Sequence, residues 1–158
     1  MDAETKREDA AATIRVFRVD DVQAVAAIGQ LTPEAANWTE ESYREALSWM
    51  GVVALVCEYE RRITGFIIGR QVADEAEILN LAVALSARRK GEGGALLEMA
   101  LAEFQARQVS RVFLEVRESN ETGIAFYQKQ GFSRTGRRLG YYRNPEEAAI
   151  VMEMKLGD

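Results

Sequence analysis

Val83-Ala84-Leu85-Ser86-Ala87-Arg88-Arg89-Lys90-Gly91-Glu92-Gly93-Gly94-Ala95-Leu96-Leu97 is the stretch on which the fold turns. The nearly all-apolar run Glu77 to Val83 ahead of it reads as a strand buried on both faces. A basic, glycine-rich turn follows, and Gly91 to Gln108 then carries Leu97, Ala100, Leu101 and Phe104 at helical spacing. Glycines let a ligand approach the backbone closely, and the first N–H groups of a helix point outward with the positive end of its dipole behind them. The turn therefore has the makings of a phosphate or pyrophosphate site. A plain helix start with solvated arginines has the same pattern. Two nucleotide motifs fail on residues: the dinucleotide fingerprint needs glycine where Leu96 stands, and a Walker A loop needs Gly-Lys-Ser/Thr after the glycines.

Outward from this segment the period alternates between strand and helix. Toward the N-terminus, Val52 to Glu58 and Ile63 to Arg70 are β-rich runs joined by the polar turn Tyr59-Glu60-Arg61-Arg62, which predicts a hairpin. Before them, Tyr43, Ala46, Leu47 and Met50 follow helical spacing after a Thr39 N-cap, and Val22, Val25, Ala26 and Gly29 form an earlier stripe. Thr13 to Arg18 reads as a first strand. Toward the C-terminus come a strand at Arg111 to Arg117, a helix at Asn120 to Gln130 closed by Gly131, and strands near Phe132 to Arg137 and Ala149 to Lys155. The order β-α-α-β-β-β-α-β-α-β-β predicts an α/β fold, a mixed and mostly antiparallel sheet with helices on both faces. The crossover around the glycine turn, about 27 residues, is long enough for one parallel β-α-β unit. Residues 1–12 are read as a disordered tail and 13–158 as one domain.

Composition narrows the chemistry. The chain has 158 residues, no histidine and one cysteine. A Ser-His-Asp triad, a Cys-His pair and a His-bound zinc site are thereby excluded, and no metal is expected. Cys57 lies in a strand and reads as a buried small apolar residue, and the cysteine count suits a reducing, cytoplasmic compartment. A net charge of −5 argues against general nucleic-acid binding. The longest purely apolar run, Val52 to Cys57, is far short of the ~20 residues of a membrane span. Within Arg111 to Arg117 strand alternation puts Val112, Leu114 and Val116 on one face and Phe113, Glu115 and Arg117 on the other. Tyr127 lies seven residues beyond Asn120, nearly on the same helical face. Glu115 in a surface ion pair and Tyr127 as a core aromatic are the bland readings of these two.

Arg88-x-x-Gly91-x-Gly93 between strand and helix, followed by Leu114-Glu115-Val116-Arg117-Glu118-Ser119-Asn120 and Phe126-Tyr127-Gln128-Lys129-Gln130-Gly131-Phe132, resembles the GNAT N-acetyltransferases, and among them the RimI type that acetylates ribosomal-protein alanine. The resemblance implies a GNAT-like fold with its parallel β-α-β at the cleft for acetyl-CoA, the implied co-substrate. It implies that Arg88, Arg89, Lys90, Gly91, Glu92, Gly93, Gly94 and Ala95 hold the pyrophosphate, that the backbone of Leu81, Ala82 and Val83 holds the pantetheine arm, and that Asn120 and Tyr127 contact the cofactor. Glu115 then matches the general base and Tyr127 the general acid. Trp38, Asn80, Tyr141 and Tyr142 match the acceptor side, and the implied partner is a protein N-terminus, that of a ribosomal protein. Three departures stand out, the first being Ala36-Asn37-Trp38 where RimI-like proteins commonly have Phe-Pro-Trp. Leu85 replaces a common proline, and Glu92 puts a carboxylate beside the pyrophosphate site, where it suits the helix dipole and can point to solvent. Two other activities share these residues: acetylation of a small amine or lysine, and acyl-CoA binding without turnover.

Overall fold

Glu60 and Arg61, both with positive φ (49° and 66°), make a two-residue turn between two strands, Val52–Tyr59 (β2) and Arg62–Val72 (β3), which pair antiparallel as the polar turn predicted. The computed structural model describes residues 12–88 and 90–157. The expected disordered tail lies outside these residues, apart from an exposed Ala12. Around the hairpin the chain adds Thr13–Val16 (β1), the helices Val22–Gln30 (α1) and Glu40–Leu47 (α2), the strand Glu75–Val83 (β4), the helix Glu92–Ala106 (α3), the strand Arg111–Arg117 (β5), the helix Glu121–Lys129 (α4), and the strands Ser133–Tyr142 (β6) and Glu147–Lys155 (β7). The strands form one sheet in the order β1-β2-β3-β4-β5-β7-β6. β4 and β5 are parallel and the other neighbours antiparallel, so the mixed sheet and its central crossover match the sequence reading.

The helix boundaries follow local chemistry. Thr39 caps α2, its hydroxyl accepting from the Ser42 amide at 3.1 Å. Asn120 caps α4 through the Gly123 amide at 2.9 Å, and Gly131 follows that helix at φ 108°. The apolar stripes then choose sides. α3 buries Leu96, Leu97, Ala100 and Phe104 against Val112, Leu114, Ile150 and Met152 on one face of the sheet. α1 and α2 bury Val22, Val25, Tyr43 and Ala46 against Val56, Phe66 and Ile68 on the other. Each of the larger side chains contributes about 1.5–3 kcal/mol by leaving water. Among the described residues no helix is long and apolar enough to cross a membrane.

One irregularity positions the site. The register between β3 and β4 shifts at Ile68/Gly69, so that Ile68 faces Asn80 and Gly69 faces Ile78, leaving Leu79 as an extra residue on β4. The face of β4 changes there: Ala76 and Ile78 join the α3 side, whereas Ala82 joins the α1/α2 side. β5 pairs with β4 only from Glu75↔Arg111 to Glu77↔Phe113, and beyond that the two strands part. Two strand extents differ from the reading. β6 and β7 run longer than expected, so Tyr141 and Tyr142 belong to β6 itself and not to a connecting loop. Almost all of β6 is exposed at the sheet edge, so no apolar alternation marked its length.

Asn80, 4 % exposed, fastens the α1–α2 loop to this bulge: its Oδ1 accepts from the Ala36 amide at 3.2 Å and its Nδ2 donates to the Tyr43 hydroxyl at 3.2 Å. Asn80→Leu leaves both partners without Asn80 in a buried place, at a cost of about 2–3 kcal/mol. Thermal unfolding of that variant is expected about 4–12 °C below the parent.

Candidate active site

Gly91 is the N-cap of α3 and holds a left-handed backbone, φ 78° and ψ 11°, which only glycine adopts without strain. The first intrahelical bond runs from the Ala95 amide to the Gly91 carbonyl at 3.0 Å, so the amides of Glu92, Gly93 and Gly94 precede the helical ladder and form the open N-terminus. A Cβ on Gly93 would meet its nearest neighbours, Val83 and Phe126, at an ordinary 3.6 and 3.7 Å. Packing within the protein therefore does not demand glycine there, whereas a phosphate lying on the amides would. Arg88 turns its Nε back to the Val83 carbonyl at 3.3 Å, and Lys90 is exposed with its Nζ 6.0 Å from the Tyr59 ring. Arg89, placed in the same turn by the sequence, lies outside the described residues.

Glu92 corrects an expectation. Its side chain does not point to solvent: the residue is 8 % exposed, and Oε1 accepts a hydrogen bond from the Thr64 hydroxyl on β3 at 2.7 Å. The carboxylate is thus turned inward to the sheet, away from an anion on the amides. A buried charge of this kind is held by its hydrogen bond and the helix dipole. Cys57 lies close to this pair, buried, with its thiol pushed up by desolvation, so it has the inert character expected of it.

Because β4 and β5 part beyond Glu77, the backbone of Leu81, Ala82 and Val83 has no strand partner on the β5 side. On the other wall Asn120 caps α4 and lines a cleft of about 390 Å³ with Pro33, Glu34, Arg117, Ser119 and Thr122. A larger depression, about 540 Å³, lies far along the sheet beside β1, lined by Ile14, Phe17, Val53 and Met99, and touches none of these residues.

Glu115 and the paired tyrosines converge. The Glu115 side chain is 10 % exposed, and its Oε2 is fully buried with no hydrogen bond from any described residue. Arg138 of β6 brings its Nε to 3.3 Å of that oxygen, a charge contact without hydrogen-bond geometry. The Tyr141 hydroxyl lies against the same carboxylate, and desolvation first, then the Glu115 charge, push its ionisation up. Tyr142 is pushed up to about 12 by burial and by its neighbours Tyr141 and Glu115. Tyr127 packs its ring against Phe126 and Phe132, with centroids 5.0 and 5.8 Å away. Burial, followed by the proximity of Tyr142, raises its ionisation well above the usual tyrosine range, so its hydroxyl stays protonated at neutral pH. Tyr142 thus stands within electrostatic reach of both Glu115 and Tyr127.

Two acceptor-side candidates also have partners within the protein. Asn80 has its amide engaged by Ala36 and Tyr43, and Trp38 packs at 5.2 Å from Tyr43 and 6.0 Å from Trp49, so both stiffen the loop beside the site from within. The sequence reading missed Arg117 as a fastener. Its guanidinium donates to the Pro145 carbonyl at 3.3 Å and to Glu147 at 3.2 Å, and sits 4.3 Å from the Tyr142 ring, tying the β6–β7 turn to β5. Glu147 also accepts from the Ser119 amide. Arg138 was missed as well, since an exposed edge strand carries no pattern to single it out.

The same arrangement occurs in known proteins. Residues 13–132 match the model of the acetyltransferase (GNAT) family. The [ribosomal protein bS18]-alanine N-acetyltransferase of Salmonella typhimurium is 32 % identical over 148 residues, 91 % of this chain and 97 % of that protein. The Escherichia coli protein of the same name is 38 % identical over 97 residues, 60 % of this chain and 66 % of its own length. The crystal structure of the ribosomal-protein-S18-alanine N-acetyltransferase from Escherichia coli superposes with a TM-score of 0.84 at 30 % identity, covering 94 % of this chain and 96 % of that one. The splayed strands, the glycine turn on a helix N-terminus and these matches lead to one conclusion: the chain belongs to the GNAT family and is an N-acetyltransferase that takes its acetyl group from acetyl-CoA.

Proposed function

We propose that the protein acetylates a protein N-terminal α-amine, with the N-terminal alanine of a ribosomal protein as its acceptor and the cytoplasm as its place of action. The observation that carries the reading is the buried Glu115 Oε2, which has no hydrogen bond from any described residue, on β5 just beyond the point where its ladder to β4 ends. An acceptor amine supplies the donor that this oxygen lacks. An α-amine of pKa about 8 needs only ~1.4 kcal/mol to lose its proton at pH 7, whereas a lysine at about 10.4 needs ~4.6 kcal/mol. A single carboxylate is an adequate base for the first and a poor one for the second. The names of the relatives, which specify an alanine of bS18, support the same acceptor.

Acetyl-CoA brings an activated acetyl thioester. The residues that would hold it are the α3 amides at Glu92, Gly93 and Gly94 for the pyrophosphate, and the unpaired β4 backbone from Leu81 to Val83 for the pantetheine arm. Glu115 accepts the amine proton, and Tyr127, kept protonated by its burial, donates one to the departing sulfur. Tyr141 and Tyr142 flank the base and present flat apolar faces with hydroxyls to a peptide backbone.

With acetyl-CoA, a lysine-free peptide beginning with alanine is expected to gain 42 Da by mass spectrometry, and an N-terminally blocked peptide with an internal lysine is not. Product on the lysine peptide alone would overturn the acceptor. Glu115→Gln is expected to lower the turnover rate by about 10²–10⁴-fold with CoA affinity unchanged in calorimetry. Gly93→Ala separates binding from folding. Where the backbone is compatible and uncrowded, Gly→Ala stabilises by about 0.4–1 kcal/mol through the unfolded chain, so Tm should hold or rise while CoA binds at least about tenfold more weakly.

A further inference from the structure

A second carboxylate stands beside Glu115 that the catalytic assignment does not use. Glu77 is the last residue of β4 paired with β5, opposite Phe113, and so lies diagonally next to Glu115 where the strands part. It is half-buried, and desolvation together with the Glu115 charge pushes its carboxyl above the usual range, with Arg138 opposing. Two carboxylates in one partly dry place repel each other, and they stay ionised together only with a cation beside them, one of the two otherwise taking up a proton. Arg138 supplies it here. Its side chain, 61 % exposed, reaches from the edge strand to Glu115 at 3.3 Å and lies 5.6 Å from the Tyr141 ring. The β6 partner of Val151 is Gly136, and Val151 is itself the partner of Glu115, so no β6 side chain stands in that row.

We infer that Glu77 and Glu115 form a doubly acidic seat that receives the acceptor's α-amine as an ammonium ion, and that Arg138 is the cation which the ammonium displaces. This rests on the acceptor proposed above. A contact that is ionic but lacks hydrogen-bond geometry is one that a better donor can replace, and Glu115 Oε2, buried and without such a bond, is aimed at that place. Glu77 is then a specificity residue: it holds the ammonium while Glu115 takes its proton. The other charged groups nearby are mutually satisfied, Arg111 lying 3.6 Å from Glu75 and 3.3 Å from Glu153. Among the described residues, Arg138, Tyr141 and Tyr142 are the remaining titratable or charged groups that act on Glu77 and Glu115.

The test is steady-state kinetics with the alanine peptide, measured across pH, on the full chain and two variants. Glu77→Gln is expected to raise the peptide KM about tenfold with kcat changed much less, and to weaken the preference for the peptide over its desamino analogue in a competition assay. Because the ammonium needs ionised carboxylates, kcat/KM should fall as pH drops through the raised Glu77 ionisation, and Glu77→Gln should move that fall to lower pH. Arg138→Gln, on the exposed strand, is expected to act oppositely. It should lower the peptide KM and, by removing the cation that favours ionised carboxylates, move the fall to higher pH. If the parent acetylates the peptide and neither variant moves KM or the acid limb, the seat is disproved and the acceptor stands. A parent that does not acetylate the peptide overturns the acceptor instead, and the seat with it.

Discussion

A parallel strand pair stays joined only while both strands keep the same rhythm, and here one of them breaks it. The extra residue at Leu79 changes the face that β4 presents, and the ladder to β5 ends at Glu77. The proposed site depends on that parting. It frees the backbone of Leu81 to Val83, leaves room beside the N-terminus of α3, and puts Glu77 and Glu115 on the rim of one opening. A continuous β4–β5 ladder would leave the same residues with no cleft to act in.

The electrostatics follow the same division. On the cofactor side the helix start offers amides and a positive dipole end, and the carboxylate that would spoil it, Glu92, is withdrawn to Thr64. On the proposed acceptor side, acidic groups are concentrated at Glu77 and Glu115, with Arg138, largely exposed, in charge contact with Glu115. The proposed anion seat and cation seat thus lie on the two sides of the opening, and would match a phosphate-bearing donor and a basic acceptor.

Much of this was legible in the sequence, and the reasons for the exceptions are physical. The strand–glycine–helix run gave the crossover because Gly91 needs its left-handed backbone and Leu96, Leu97 and Phe104 need a core. Strand alternation placed Glu115 opposite the buried Val112, Leu114 and Val116 correctly. The Leu79 bulge had no signature, since an extra residue in an apolar run looks like the run itself. The extent of β6 was hidden because an exposed edge strand needs no apolar face. Glu92 was misjudged because a charge at a helix start is usually solvated, and only the tertiary position of Thr64 makes burial tolerable. Asn80 and Trp38 showed their polarity and aromaticity in the sequence, but not the Tyr43 that occupies them both.

Arg117 stands two residues beyond Glu115 on the same face of β5, about 6.6 Å along the strand. It grips the β6–β7 turn by a carbonyl, a carboxylate and the Tyr142 ring. The floor of the acceptor pocket and its roof are therefore clamped to a single rod. When the sheet twists, Glu115 and the Tyr142 ring held by Arg117 move with the same strand. The gap between them is then set by the stiffness of one short strand and not by the sum of many loosely coupled joints.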